Sequence, residues 1–320
     1  MKLGSIVGIV LAGILIITGI IMCMIGSASA KGENKELFMQ IDDSGTHYIQ
    51  DISSEVTKLS VECKDADIKI IGGAERSFIE FNNFNPNKYS VNATANVISF
   101  SESADISSLL DLGDIGFSFK GLRYFLDPRN DDFDEMKKSI IINLAADSML
   151  KIIDIDAEHS TLTAENVNVS GDMILGIKNG SIEIKSCTAQ SAVSITGTSL
   201  KVNLESSTAK VLRSNITDCE MNITNCLVND TDITAESGRI DFISETTIDD
   251  KAISVTSESG GILFNSKPLS SPFNHEPLHG ADEENAPAQF KIKCLSASVN
   301  LSFPSEITTN TSPAPTVTNP

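Results

Sequence analysis

The sequence predicts an all-β protein: a β-solenoid of the parallel β-helix type, about 20 residues per coil, after an N-terminal transmembrane helix. A β-sandwich is the alternative arrangement of the same strands. Three observations carry the prediction. The chain has 320 residues, 41% of them hydrophobic, with no Trp and only 5% aromatics, and its bulk is Ile, Val, Ser, Thr, Asn and Asp, a mixture suited to short strands and polar turns. Apolar residues alternate with polar ones at period two, and no helical period competes beyond residue 138. Finally, a turn-like start followed by apolar, any, apolar recurs along the second half of the chain.

Residues 1–30 are expected to be a transmembrane anchor or uncleaved signal. Leu3 to Ile25 form 23 uncharged residues, about 34 Å as a helix and enough to cross a bilayer. Ala28, Ser29 and Ala30 have the A-x-A form of a signal-peptidase site, but the apolar run exceeds the usual signal core of about 7–15 residues. Lys2 and the α-amine on one side face Lys31 and Lys35 on the other, so counting positive charges leaves the orientation tied. The resemblance of the short tail, apolar run and A-x-A to an export signal places the large domain outside the cell membrane.

Residues 31–104 read as N-terminal β-strands, with "KLSVECKDADIKIIGG" and "SFIEFNNFNPNKYSVNATANVISFS" alternating cleanly. Residues 105–139 break the pattern. They concentrate Phe117, Phe119, Tyr124 and Phe125 in an aromatic-poor chain and are expected to be an insertion that caps an open solenoid edge.

Residues 140–266 carry the repeats. The first apolar positions of six units are Leu162, Ile182, Leu200, Met221, Ile240 and Ile262, at steps of 20, 18, 21, 19 and 22. A second apolar residue precedes each: Ile155, Ile177, Ile195, Ile216, Ile233 and Val255. One such unit cannot bury its apolar face, whereas stacked units share a continuous core. Residues 267–288 are expected to be a loop, 289–303 a closing strand, and 304–320, rich in Pro, Thr, Ser and Asn, a disordered tail.

"KLSVECKDADIKI", the lead strand "IIINLAADSMLKIIDIDAEHS" and units such as Ser237-Gly238-Arg239-Ile240 resemble the bacterial putative-adhesin β-strand-repeat family of envelope proteins over roughly residues 50–303. The resemblance implies an envelope-facing solenoid with an adhesion or signalling role and supplies no catalytic residues. Several turns here lack the Gly common in that family.

The formal charge is −19, and because Lys2 is the one charged side chain in residues 1–30, the remainder carries 23 basic against 43 acidic residues. Such a surface repels phosphate backbones, which excludes nucleic acid as a partner. The partners expected are the membrane, through the N-terminal helix, and an envelope protein or glycan.

One stretch spells an enzyme motif. "NHEPLHG" (274–280) contains HExxH, which binds zinc when a helix sets its histidines one turn apart with the Glu aimed at metal-bound water. Pro277 would sit inside that helix, without an N–H and against the Phe273 carbonyl, at a cost of about 3 kcal/mol. His275, Glu276 and His279 are therefore not expected to form a zinc peptidase, nor His275 and His279 a metal site with Asp282, Glu283 or Glu284. Glu183 and Lys201 read as a cross-strand charge pair on neighbouring coils. Glu183 and Asp241, three coils apart, stand about 14 Å from each other, beyond the roughly 5–9.5 Å of glycosidase carboxylates. The run 127–135 lacks the Gly of an EF-hand loop. Beyond Cys23 there are five cysteines, none in a CxxC pair; Cys187 and Cys226 fall two coils apart, too far for a disulfide. No catalytic, cofactor-binding or metal residue is expected. The function expected is a non-enzymatic, membrane-anchored extracytoplasmic module for adhesion, envelope interaction or sensing; the alternative is an envelope hydrolase or lyase acting on glycan or peptide.

Overall fold

The computed structural model describes residues 40–41, 47–84, 89–94, 96–102, 137–148, 150–246, 251–276 and 288–304. The expected anchor (1–30), nearly all of the 105–139 insertion and all but Pro304 of the 304–320 tail lie outside the described residues. The description below concerns the unit that begins at Ile41.

Every regular element among the described residues is a strand. The first group is β1 (Gln40–Ile41), β2 (His47–Asp51), β3 (Lys58–Lys64), β4 (Ala66–Ala74), β5 (Phe78–Asn82), β6 (Tyr89–Ala93), β7 (Val97–Glu102), β8 (Lys138–Ala145), β9 (Ile152–Glu158), β10 (Ser160–Glu165) and β11 (Asn168–Val169). There follow β12 (Asp172–Lys185), β13 (Thr188–Glu205), β14 (Thr208–Thr224), β15 (Leu227–Ile243), β16 (Lys251–Ser257), β17 (Ile262–Phe264), β18 (Lys267–Leu269), β19 (Phe273–His275), β20 (Ala288–Cys294) and β21 (Ser298–Ser302).

The solenoid expectation is met. Each rung is a strand on a first face, a corner, and a strand on a second face, and rungs pair in parallel with their neighbours. On the second face Leu162, Ile182, Val202, Met221 and Ile240 stand in one row, at steps of 20, 20, 19 and 19. On the first face the corresponding row is Ile155, Leu175, Ile195, Ser214 and Ile233. These side chains are buried, and each fully buried Leu or Ile stabilises the fold by about 1.5–3 kcal/mol. The anchor assigned from the sequence to the third coil, Leu200, lies one row away from Val202, and Ile177 and Ile216 are likewise displaced by two residues from their row. Leu200, Val202 and Leu204 all point inward, so a slip of two leaves the alternation unchanged.

Sequence order and stacking order part company at both ends of the ladder. β3 and β4 pair with β9 and β10 on one side and with β7 and β8 on the other. The stack therefore begins well before residue 140, and residues 58–74 are one of its rungs. At the other end β20 lies between β15 and β16, and β21 between β15 and β17. The 259–266 unit is thus not the neighbour of the 237–244 unit: Ile240 meets Val299, and Val299 meets Ile262. The segment read as a closing strand is two strands, and they form an interior rung.

Antiparallel strands cover the ends. β6 pairs with β7 and β5 with β8, while β19 pairs with β16 and β18 with β17. The stretch read as a loop from 267 therefore carries two short strands; Pro268, which donates nothing to a ladder, sits on the edge strand β18. At one end Tyr48 packs against Phe81 and Tyr89, which pack in turn with Phe84 and Phe100, and at the other Phe242, Phe290, Phe303 and Phe264 pack together. The described aromatics gather where the stack ends.

The second corner explains the scarcity of Gly in the turns. Asn166, Ser186, Ser206, Asn225 and Asn265 all have φ between 49° and 55°. Each donates its backbone N–H to the adjoining rung, as Ser186 does to the Glu205 carbonyl at 3.0 Å. Asn enters the left-handed region readily and Ser at modest cost. The next residues inward, Val167, Cys187, Ser207 and Cys226, form a buried row in which the Ser207 hydroxyl accepts the Cys187 N–H at 3.1 Å.

Candidate functional site

With the apolar half of every strand committed to the core, chemistry is left to the outward rows. Because register is fixed, each row sets like positions at about 4.8 Å intervals. On the second face one row runs Thr161, Ser181, Lys201, Glu220, Arg239, Ser298, and the next runs Thr163, Glu183, Asn203, Asn222, Asp241, Asn300.

These rows are cross-linked by side chains. Lys201 Nζ lies 3.1 Å from Glu220 Oε1, and Lys185 Nζ lies 3.3 Å from Glu205 Oε2. Asn222 Nδ2 donates to Asn203 Oδ1 at 3.1 Å, and Asn300 Nδ2 donates to Asp241 Oδ1 at 3.1 Å. Asp241 also receives both Nε and Nη2 of Arg239, at 2.6 and 3.1 Å. On the first face Glu158 joins two rungs by accepting from Lys64 and Lys178, each at 3.0 Å. These hydrogen bonds hold the Glu158 carboxyl down at about 2.

The expected pairing of Glu183 with Lys201 is not formed. Glu183 stands opposite Asn203, and Lys201 stands opposite Ser181 and takes Glu220 as its partner. The error follows from the two-residue slip at Leu200. Glu183 and Asp241 are three rungs apart. Cys187 and Cys226 are two rungs apart in the buried corner row, and the five described cysteines are free and buried.

The HExxH letters fall partly outside the described residues, which stop at Glu276. His275 ends the extended strand β19, opposite Ile253, so the backbone entering the motif is not helical. Among the described residues no three His, Cys, Asp or Glu side chains converge as for a metal ion. The 127–135 run also lies outside them.

Exposed large aliphatic side chains occur singly. Ile174, Leu227, Ile243, Leu263 and Leu295 are the exposed large apolar residues among those described; Leu227 and Ile243 stand at opposite ends of β15, and the other three lie on or beside β12, β17 and β20. Scattered residues of this kind do not make an apolar docking patch.

A β-solenoid whose outward rows, among the described residues, are hydroxyls, amides and paired charges defines the class: a β-strand-repeat protein. The chain belongs to the Toastrack DUF4097 family, whose model matches residues 56–268. Among solved structures it is similar to a putative cell adhesion protein from Clostridium sporogenes ATCC 15579, with 12% identity, 81% of this chain and 99% of that one covered, and a TM-score of 0.34. It is similar also to a putative adhesin from Bacteroides fragilis NCTC 9343, with 14% identity, coverage of 81% and 96%, and a TM-score of 0.44. No curated protein matches the chain.

Proposed function

We propose that this protein is a non-enzymatic, membrane-anchored, extracytoplasmic module that presents its solenoid faces to a cell-envelope partner, in adhesion or in sensing of the envelope. The observation that carries the reading is the register-fixed set of polar rows: Lys201, Glu220 and Arg239 beside Asn203, Asn222, Asp241 and Asn300. A surface of this kind is held flat by the strands beneath it, so it offers many hydrogen-bonding groups at little ordering cost. The 23 uncharged residues from Leu3 to Ile25 supply the anchor, and the net charge of −19 favours partners that are not polyanions.

Protease added to intact cells tests the topology: degradation of the solenoid is expected, and full protection with the membrane sealed overturns the placement. The binding reading is tested by titrating the purified chain against envelope fractions. Saturable binding that weakens when the second-face rows are mutated is expected; envelope binding that is absent, or turnover of a glycan or peptide substrate, overturns it.

A further inference from the structure

At the first corner, where strands β12 to β14 turn from one face to the other, the outward rows border an open groove of about 440 Å³. Three successive rungs line it, with Asn179, Ser199 and Asp218 in register along one wall and Lys201 and Glu220 along the other. Gly180 contributes bare backbone. Its φ is +150°, and a Cβ there would stand 2.0 Å from the Ser160 carbonyl oxygen, so the close approach of the neighbouring rung requires glycine at this corner. The polar wall continues past both ends of the groove. Asn179 Nδ2 lies 3.4 Å from His159 Nε2, and the Ser237 hydroxyl donates to Asp218 Oδ1 at 2.9 Å.

We infer that this groove binds a linear oligosaccharide of amine-bearing sugars, laid along the stack with its length crossing successive rungs. The inference rests on the envelope-binding reading above and names a ligand class for it. Three features select the class. The wall sets one polar group per rung at about 4.8 Å, Asn179, Ser199 and Asp218 in turn, so a linear chain with a repeat near that spacing meets one hydrogen-bonding group at each rung. The groove holds two carboxylates against one ammonium, and Lys201 is already paired with Glu220 at 3.1 Å, so cationic groups are attracted and anionic polymers repelled. Asn179 and Ser199 add an amide and a hydroxyl, which suit sugar hydroxyls, and no aromatic side chain lines the groove, so recognition runs through hydrogen bonds and charge.

The test is calorimetric titration of the full chain with a glucosamine hexasaccharide, alongside its fully N-acetylated counterpart and hexalysine. Saturable binding of the glucosamine hexamer is expected, stronger than that of the acetylated form and of hexalysine, and weakened at least tenfold by Asp218→Asn or by Ser199→Trp. Both substitutions are at exposed positions, and a far-ultraviolet dichroism spectrum matching that of the unsubstituted chain establishes that the fold persists. No saturable binding, binding unchanged by both substitutions, or equal binding of hexalysine overturns the groove as a sugar site. Envelope binding that persists in the Asp218 and Ser199 variants, when the hexamer does not bind, overturns the groove alone and leaves the broader reading standing. Loss of envelope binding by the unsubstituted chain overturns that reading first.

Discussion

Glu102 at the end of β7 and Lys138 at the start of β8 form an ion pair whose side chains are only 10% and 15% exposed. They are neighbours in space across a long stretch of intervening sequence. The pair is tied into the stack, since Glu102 Oε2 accepts the Lys64 N–H at 2.9 Å and the Lys138 ammonium stands 5.6 Å from the centre of the Phe84 ring. Removing one partner strands a charge where water reaches it poorly. Lys138→Met is therefore expected to lower stability by about 3 kcal/mol, and Glu102→Leu with Lys138→Met together to recover most of that. Urea midpoints of the two variants check it; equal losses for the single and double replacement contradict it.

A second expectation concerns acid. The hydrogen bonds from Lys64 and then Lys178 hold the Glu158 carboxyl at about 2 in the folded chain, against an unfolded value of about 4.3. The stabilisation is complete above the unfolded value and is lost as pH falls from there towards 2. The stability of Glu158→Gln is expected to change less steeply across that window, and added salt to shrink the difference because the site is open to solvent. Carboxyl chemical shifts followed with pH measure the titration directly.

Gly238 has a φ of +113°, and a Cβ there would come within 1.9 Å of the Cys219 carbonyl oxygen. Backbone is on the other side of that clash, so no rotamer relieves it. Gly238→Ala is expected to destabilise the fold by about 2 kcal/mol or more, through left-handed strain and displacement of the adjoining rung. A melting temperature equal to that of the unsubstituted chain would count against the register at this corner.

The cysteines offer a probe of the core. Burial raises the Cys63 thiol to about 12, with Glu102 adding to the effect, and burial raises the Cys294 thiol to about 12 as well. Thiolate is the reactive form. In a chain carrying Cys23→Ser, maleimide labelling at pH 7 is expected to leave the five described cysteines unmodified in the native state and to gain five modifications on denaturation, counted by intact mass.

How much of this was legible in the sequence depends on what alternation encodes. Period two fixes which side chains face inward, and repeats near 20 residues fix the coil, so the solenoid and its apolar rows could be read directly. The row within a coil could not. Leu200 and Val202 are both inward-facing, and choosing the first moved Lys201 opposite the wrong neighbour. Stacking order was equally hidden: Ile292, Val299 and Leu301 announce a rung, but nothing in their pattern says that it goes between Ile240 and Ile262. The left-handed corner was concealed by its occupants, since Ser186 and Ser206 do the work that Gly usually signals. The groove at Asn179, Ser199 and Asp218 arises only when three rungs are in register, and no local motif marks it.

The interior position of β20 and β21 also fixes a timetable. From β9 to β15 neighbouring rungs are 19 or 20 residues apart along the chain, whereas β20 meets β15 across 59 residues and β16 across 37. Nearby partners find each other quickly and distant ones slowly. A growing chain can zip its middle as it emerges. The far end, however, cannot close until residue 302 has been made, because the rung that joins β15 to β16 is synthesised after both of them. Interrupted synthesis would leave two unpaired strand edges facing each other, open to any strand that arrives first.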